Sequence, residues 1–214
     1  MGLFLSVIAF VGTHFLLSHP LRGPLVRAAG ERAFGGIYVV VALLTFGSAI
    51  YFYHAIGREP QFWVPGDALW LAASVLMWFG AILFVGSFAG NPAFPRAKGP
   101  SGPPHGVFAI TRHPMMWGFA IWAAVHMTVV AMPKAMVLDG AILLLALAGS
   151  AGQDRKKEGQ MGDRWHEWSA QTAFVPFTRG VAWPGTVAFV GGTLLFFLAT
   201  WVHPIPAGFW RWIG

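Results

Sequence analysis

The residues of this chain that could do chemistry are two histidines set inside apolar runs and one arginine–histidine pair at the mouth of such a run. His14 lies in GLFLSVIAFVGTHFLLSHP, and His126 lies thirteen residues past His113 in GVFAITRHPMMWGFAIWAAVHM. Burying a polar group without a partner costs roughly 2–7 kcal/mol, so an imidazole at membrane depth is expected to bond something and is a candidate for function. The chain has no Cys. That excludes disulfides, thiolate haem ligation, iron–sulfur clusters and cysteine nucleophiles, and leaves the eight His as the strong nitrogen ligands. Two imidazoles on different helices suit the two faces of a haem b iron. At about 1.5 Å per residue, His14 is roughly 12 Å from Arg22 and His126 roughly 21 Å from Arg112, which sets the two on the order of 10 Å apart in depth. Gly118, Ala123 and Ala124 are expected to leave room for a flat ligand beside the His126 helix. His54, near Tyr51 and Tyr53, is a rival ligand; His19, His105, His166 and His203 fall in loops or at span ends, where water serves them. The plain alternative is that each buried His bonds a backbone carbonyl or a Ser/Thr across helices.

Arg112 and His113 precede Pro114, a residue that suits the first turn of a helix. A guanidinium beside the free N–H groups of that turn favours an anion: a carboxylate, a haem propionate, a phosphate or a lipid headgroup. Asp154 is the acid best placed to face this turn. Arg112, His113 and Asp154 are therefore the candidates for holding the polar part of a cofactor. The plain alternatives are a basic membrane anchor for Arg112 and a solvated helix end for Asp154. No residue can be assigned a catalytic role, since there is no Gly-rich phosphate loop, HExxH motif or Ser/His/Asp order.

The elements that must position these groups are membrane helices. Of 214 residues 56% are hydrophobic and only 10% charged, with a mean hydropathy of +0.61; a soluble domain carries roughly 25% charged residues. The apolar runs predict an all-α polytopic bundle of about six spans at 2–19, 34–56, 68–89, 114–132, 135–153 and 183–203. The start, MGLFLS, lacks a positive segment and reads as a retained span rather than a cleaved signal. Loops 20–33, 90–113 and 154–182 carry eleven Lys and Arg; the opposite side carries Arg58, Lys134 and Arg211. By the positive-inside rule the first set is cytoplasmic and both termini lie outside, in the periplasm if the membrane is the inner membrane of a bacterium. The net charge of +6 is thus accounted for by topology rather than nucleic acid, and membrane lipid is the expected neighbour.

Residues 1–214 read as a single integral membrane domain. Loop 20–33 fits a short basic surface helix. The Pro- and Gly-rich loop within 90–113 is expected to fold as a lid over the Arg112 turn. Span five is expected to continue as a helix into a cytoplasmic extension, 154–182, where Trp165 and Trp168 form an aromatic edge at the interface. Gly80, Gly86 and Gly90 are expected to permit close helix approach, and the tail HPIPAGFWRWIG reads as an interfacial aromatic anchor.

The stretch HGVFAITRHPMMWG, followed by Asp154, Lys157, Gly162, Trp165 and Trp168 and then by Thr172, Phe174, Val175, Pro176 and Phe177, resembles the NnrU family of bacterial membrane proteins over nearly the whole chain. The resemblance implies a link to denitrification and nitric oxide metabolism. The His14 span and the Arg112–His126 stretch are also similar to zeta-carotene isomerase, which implies a haem b held between His14 and His126 and a haem-dependent isomerisation. The Arg-His-Pro turn, the acid after the next span and the Gly-x-x-Trp-x-x-Trp segment resemble the isoprenylcysteine and phospholipid methyltransferase superfamily, which implies S-adenosylmethionine at Arg112, His113 and Asp154. From that superfamily the chain departs at Met116, where an aromatic is expected, and at Gln153-Asp154, where a Glu pair is expected. Three readings stand: a haem b protein acting on a small diatomic or an apolar ligand, a membrane methyltransferase, and a non-catalytic assembly or sensing partner.

Overall fold

The computed structural model describes residues 1–94, 97, 99–100 and 102–213. It is helical, as the apolar runs require. Six apolar helices appear: α1 (Gly2–Ser18), α2 (Arg22–Ala55), α3 (Asp67–Gly86), α5 (Pro114–Val130), α6 (Pro133–Met161) and α8 (Thr186–Trp201). Of these α2, α3 and α6 are long and apolar enough to cross a membrane, and the other three are shorter apolar helices. Two short helices, α4 (Val107–Ile110) and α7 (Asp163–Gln171), and a 3₁₀ turn at Gly208–Trp212 complete the set. Leu43, Leu44, Leu194 and Leu198 are exposed in mid-helix, an arrangement that lipid rather than water satisfies.

The chain gathers into two compact units. Met1–Val64 and His126–Leu145 form one; Pro65–Val125 and Ala146–Gly214 form the other. α5 and α6 contribute to both.

In the first unit α1 lies along α2. Their contact, joined by the start of α6, is an apolar cluster of Leu3, Val7, Ala49, Leu138 and Ala141. α2 is two helices in one: Gly30 stands at φ 81 and ψ 160, a conformation that breaks the helix and that residues with a side chain rarely adopt. The segment before the break is the expected basic surface helix, and Arg22 is tied across it to Glu31 at 2.9 Å.

In the second unit α3 packs against α8. The approach is close because Gly192 faces the backbone of Ile82, where a Cβ would collide. Gly80 meets Ile121, and Gly86 meets Val107 and Ala188, as expected of small residues. Gly90 does not: it is a turn residue at φ 66 with open space around it. Gly118 is also not a gap for a ligand, since a Cβ there would stand 3.1 Å from the Gly80 carbonyl and from Phe84; the space is filled by α3.

α6 does run on past its apolar part, to Met161. Trp165 and Trp168 on α7 do not form an interfacial edge, however. They are 2% and 6% exposed and sit in the core with Ile82, Leu83, Val107 and Phe108. The apolar stripe that fits a membrane surface also fits a protein interior, and here the short helix α4 covers it. The tail likewise docks: Trp210 donates to the Phe197 carbonyl at 3.2 Å, and the Arg211 guanidinium lies 4.7 Å from the Trp70 ring centroid.

Candidate functional site

The Arg112 turn is built where the short stretch after α4 meets the stretch after α7. Thr111 and Thr172 both take extended backbone. The Arg112 N–H donates to the Ala173 carbonyl at 2.8 Å, and the Phe177 N–H donates to the Ile110 carbonyl at 3.2 Å. Thr111 Oγ1 and Trp117 Nε1 both donate to the Phe174 carbonyl, at 2.8 and 2.7 Å. Phe177 is held at φ 66, an uncommon conformation for an aromatic residue, with its ring stacked on Phe79 at 5.1 Å.

Into this junction α6 inserts Asp154. One carboxylate oxygen takes both Nε and Nη2 of Arg112, at 2.9 and 2.7 Å. Arg112 Nη1 donates to the Thr172 carbonyl at 3.1 Å, and the guanidinium lies 5.3 Å from the Phe174 ring centroid. The other carboxylate oxygen stands 2.9 Å from Nε2 of His113, whose side chain is fully buried. That approach is off the line of a good hydrogen bond, so Asp154 Oδ1 and both ring nitrogens of His113 keep unmet bonding capacity. The structure thus brings Arg112, His113 and Asp154 together, and it sets the chain's own carboxylate where an external anion was expected. Charge pairing also explains how an arginine and an aspartate, 16% and 19% exposed, are accommodated.

One turn on, Lys157 is 1% exposed and donates to the Phe94 carbonyl at 3.0 Å, while Gln153 donates to the Ala93 carbonyl at 3.2 Å. Asn91 closes this stretch with a side-chain bond from the Ala93 N–H at 2.9 Å. The root of the expected lid is thus fastened to α6. Pro95, Arg96, Lys98 and Ser101 of that loop lie outside the described residues.

His14 and His126 lie in the first unit. His14 Nδ1 is 2.7 Å from the Phe10 carbonyl one turn back. A carbonyl can only accept, so Nδ1 carries the proton and, in the neutral ring, the Nε2 lone pair is left for another partner. The ring is flanked edge-on by Phe10 at 4.4 Å and by Tyr38 of α2 at 5.4 Å. A carbonyl on one ring nitrogen is the usual support of a metal-binding imidazole. It is also the bland bond foreseen as the alternative, and both readings share it. The donor set at His14 fits an axial ligand. His126 is half-buried on α5 in the same unit, and His54 is exposed against the Tyr53 ring at 5.5 Å. Among the described residues no cluster of three His, Asp or Glu forms a metal cage, and a haem ligated by two imidazoles needs none.

Sequence reasoning passed over Asp139. It is 4% exposed in α6, and its signal was a single acid inside the fifth apolar run. The carbonyls of Thr172, Ala173 and Phe174 were also unforeseen, since main-chain acceptors leave no mark in a pattern of side chains.

The family model described as NnrU protein matches residues 2–210. No curated protein and no solved structure matches the chain.

Proposed function

This chain belongs to the NnrU family, and from that premise we propose that it is a membrane protein that binds haem b between His14 and His126. The observation that carries the reading is the His14 ring, held by the Phe10 carbonyl with Nε2 left over and His126 in the same unit. The haem would supply a redox-active iron in an apolar setting, suited to a small diatomic such as nitric oxide in denitrification or to the isomerisation of an apolar ligand. The chain's part is to fix the ring by the Phe10 bond and to shield it with Phe10 and Tyr38. Arg112 already holds Asp154, so a propionate would reach it only by sharing or displacing that carboxylate. On this reading the protein lies in the bacterial inner membrane, and the positive-inside count supports loops 20–33, 90–113 and 154–182 on the cytoplasmic side with both termini periplasmic. Protein purified from haem-supplied cells is expected to show a Soret band that His14→Ala or His126→Ala removes and His54→Ala leaves. A colourless wild type ends the reading.

A second reading, an S-adenosylmethionine-dependent methyltransferase, is favoured by one observation: the turn and the acid shared with that superfamily meet within hydrogen-bonding distance, and His113 Nδ1 has no partner among the described residues. Calorimetric titration with S-adenosylmethionine tests it, and the absence of binding heat rejects it.

A further inference from the structure

α5 starts at the charged Arg112 turn and has 17 residues. That is a rise of about 25 Å, against a hydrocarbon core of about 30 Å. Its far end therefore stops where lipid rather than water is the neighbour. The last carbonyls of a helix have no partner within it, and at such a depth an unmet carbonyl is costly. The connection between α2 and α3 supplies the donors. Trp63 Nε1 donates to the Thr128 carbonyl at 2.8 Å, and the Phe62 N–H donates to the Ala131 carbonyl at 2.8 Å. Thr128 lies two residues past His126, and Ala131 directly follows the helix.

The same connection grips α6. Glu59 Oε2 accepts the Lys134 backbone N–H at 2.8 Å, one of the first-turn donors that α6, starting at Pro133, cannot satisfy by itself. The Lys134 ammonium donates back to the Gly57 carbonyl and lies 4.7 Å from the Tyr53 ring centroid near the end of α2. Between the two helices stands Ala131, fully buried at φ 27, a conformation that a residue with a side chain keeps only where its surroundings fix it. Phe62, Trp63 and Val64 leave apolar surface exposed. That suits a segment lying in the membrane interface, where an indole sets its ring among lipid and keeps its N–H bonded.

We propose that residues 57–63 are a strap that caps α5 from outside and so sets the imidazole of His126, with Trp63 as the positioning residue. His126 stands four residues before Val130, the last of α5. A helix end without partners frays through its last turn, and fraying here would loosen the backbone that carries the imidazole. With the Thr128 and Ala131 carbonyls held, the helix itself fixes the direction of the ring. What the ring then does rests on the haem reading. As an axial ligand, His126 would have its depth and plane set by a loop that supplies no ligand of its own.

The strap can be tested on haem-free, full-length protein in lipid nanodiscs. Trp63→Phe keeps an aromatic ring and removes the donor, and Lys134→Met releases the Gly57 carbonyl. Amide hydrogen exchange over 126–131 is expected to quicken about fivefold in each, as for the loss of one hydrogen bond. Trp183→Phe, at an exposed tryptophan elsewhere in the chain, is expected to match the wild type. In protein with ¹⁵N-labelled histidine, the ring signals that His126→Gln removes are expected to shift in Trp63→Phe and Lys134→Met, while those that His14→Gln removes stay in place. Once haem is loaded, Trp63→Phe is expected to keep the Soret band and to shift the midpoint potential. Exchange as slow as in the wild type in both variants overturns the proposal. So do His126 ring signals that stay in place while exchange quickens, because the strap would then cap the helix without setting the ring. A colourless wild type ends the haem reading alone, and exchange and ring signals still decide the strap.

Discussion

Asp154→Asn keeps the shape of the side chain and removes its charge, so it tests whether the turn at Arg112 is held by that charge. In the wild type the carboxylate takes two guanidinium nitrogens at 2.9 and 2.7 Å and stands 2.9 Å from His113. Removing one member of a fully buried ion pair costs roughly 3–5 kcal/mol. With 16% and 19% of the two side chains still reaching solvent, water takes up part of the stranded charge, and the expected loss is about 2–3 kcal/mol. For a chain of this size each kcal/mol lowers Tm by about 2–4 °C, which gives a drop of about 4–12 °C. Thermal unfolding followed by circular dichroism in nanodiscs reads this directly. Arg112→Gln alone should cost a similar amount, while the double variant should recover most of one loss, because neither charge is then left alone. A drop below about 1 °C for Asp154→Asn, or a double variant that loses the sum of the two single losses, refutes the assignment of Asp154 as the organising charge.

Four further outcomes follow from the packing. Lys157→Met removes the donor to the Phe94 carbonyl while keeping the apolar stem; cleavage within loop 90–106 by added protease should speed up, and an unchanged rate would mean that the loop root is held by other contacts. Gly192→Ala sets a methyl group against the Ile82 backbone and should cost about 1–3 kcal/mol in thermal unfolding. Gly12→Ala meets nothing within 4 Å, so its effect should stay within about 0.5 kcal/mol. Trp165→Ala should destabilise by about 3–5 kcal/mol as a core deletion; an interfacial tryptophan would lose far less.

The architecture was largely legible because membrane spans write themselves as long apolar runs. Every expected span has its helix, and the expected surface helix before Gly30 is present because only a residue without a side chain suits that break. Asp154 was legible from charge alone, since a buried arginine needs an acid and few are available. Trp165 and Trp168 were misplaced because amphipathic spacing records that one face is apolar and not what covers it. Gly118 was misread for a related reason: a missing side chain permits both a ligand and a closer helix, and α3 took the space. Asp139 was overlooked because attention went to imidazoles, although a carboxyl group in a span obeys the same desolvation argument. The bonds from Arg112 to the Thr172 and Ala173 carbonyls, and from Thr111 and Trp117 to the Phe174 carbonyl, join residues about sixty apart in the chain and end on main-chain acceptors, which no local pattern carries.

The central claim is that His14 offers its Nε2 to an iron, and a haemin titration of the purified protein tests it most directly. The account predicts a sharp Soret band that saturates at one haem per chain, narrows and shifts on reduction with dithionite as expected for two imidazole ligands, and is lost in His14→Ala but retained in His19→Ala. Haemin that shows only its free spectrum in the presence of the wild type, or a band of equal strength in His14→Ala, would contradict it.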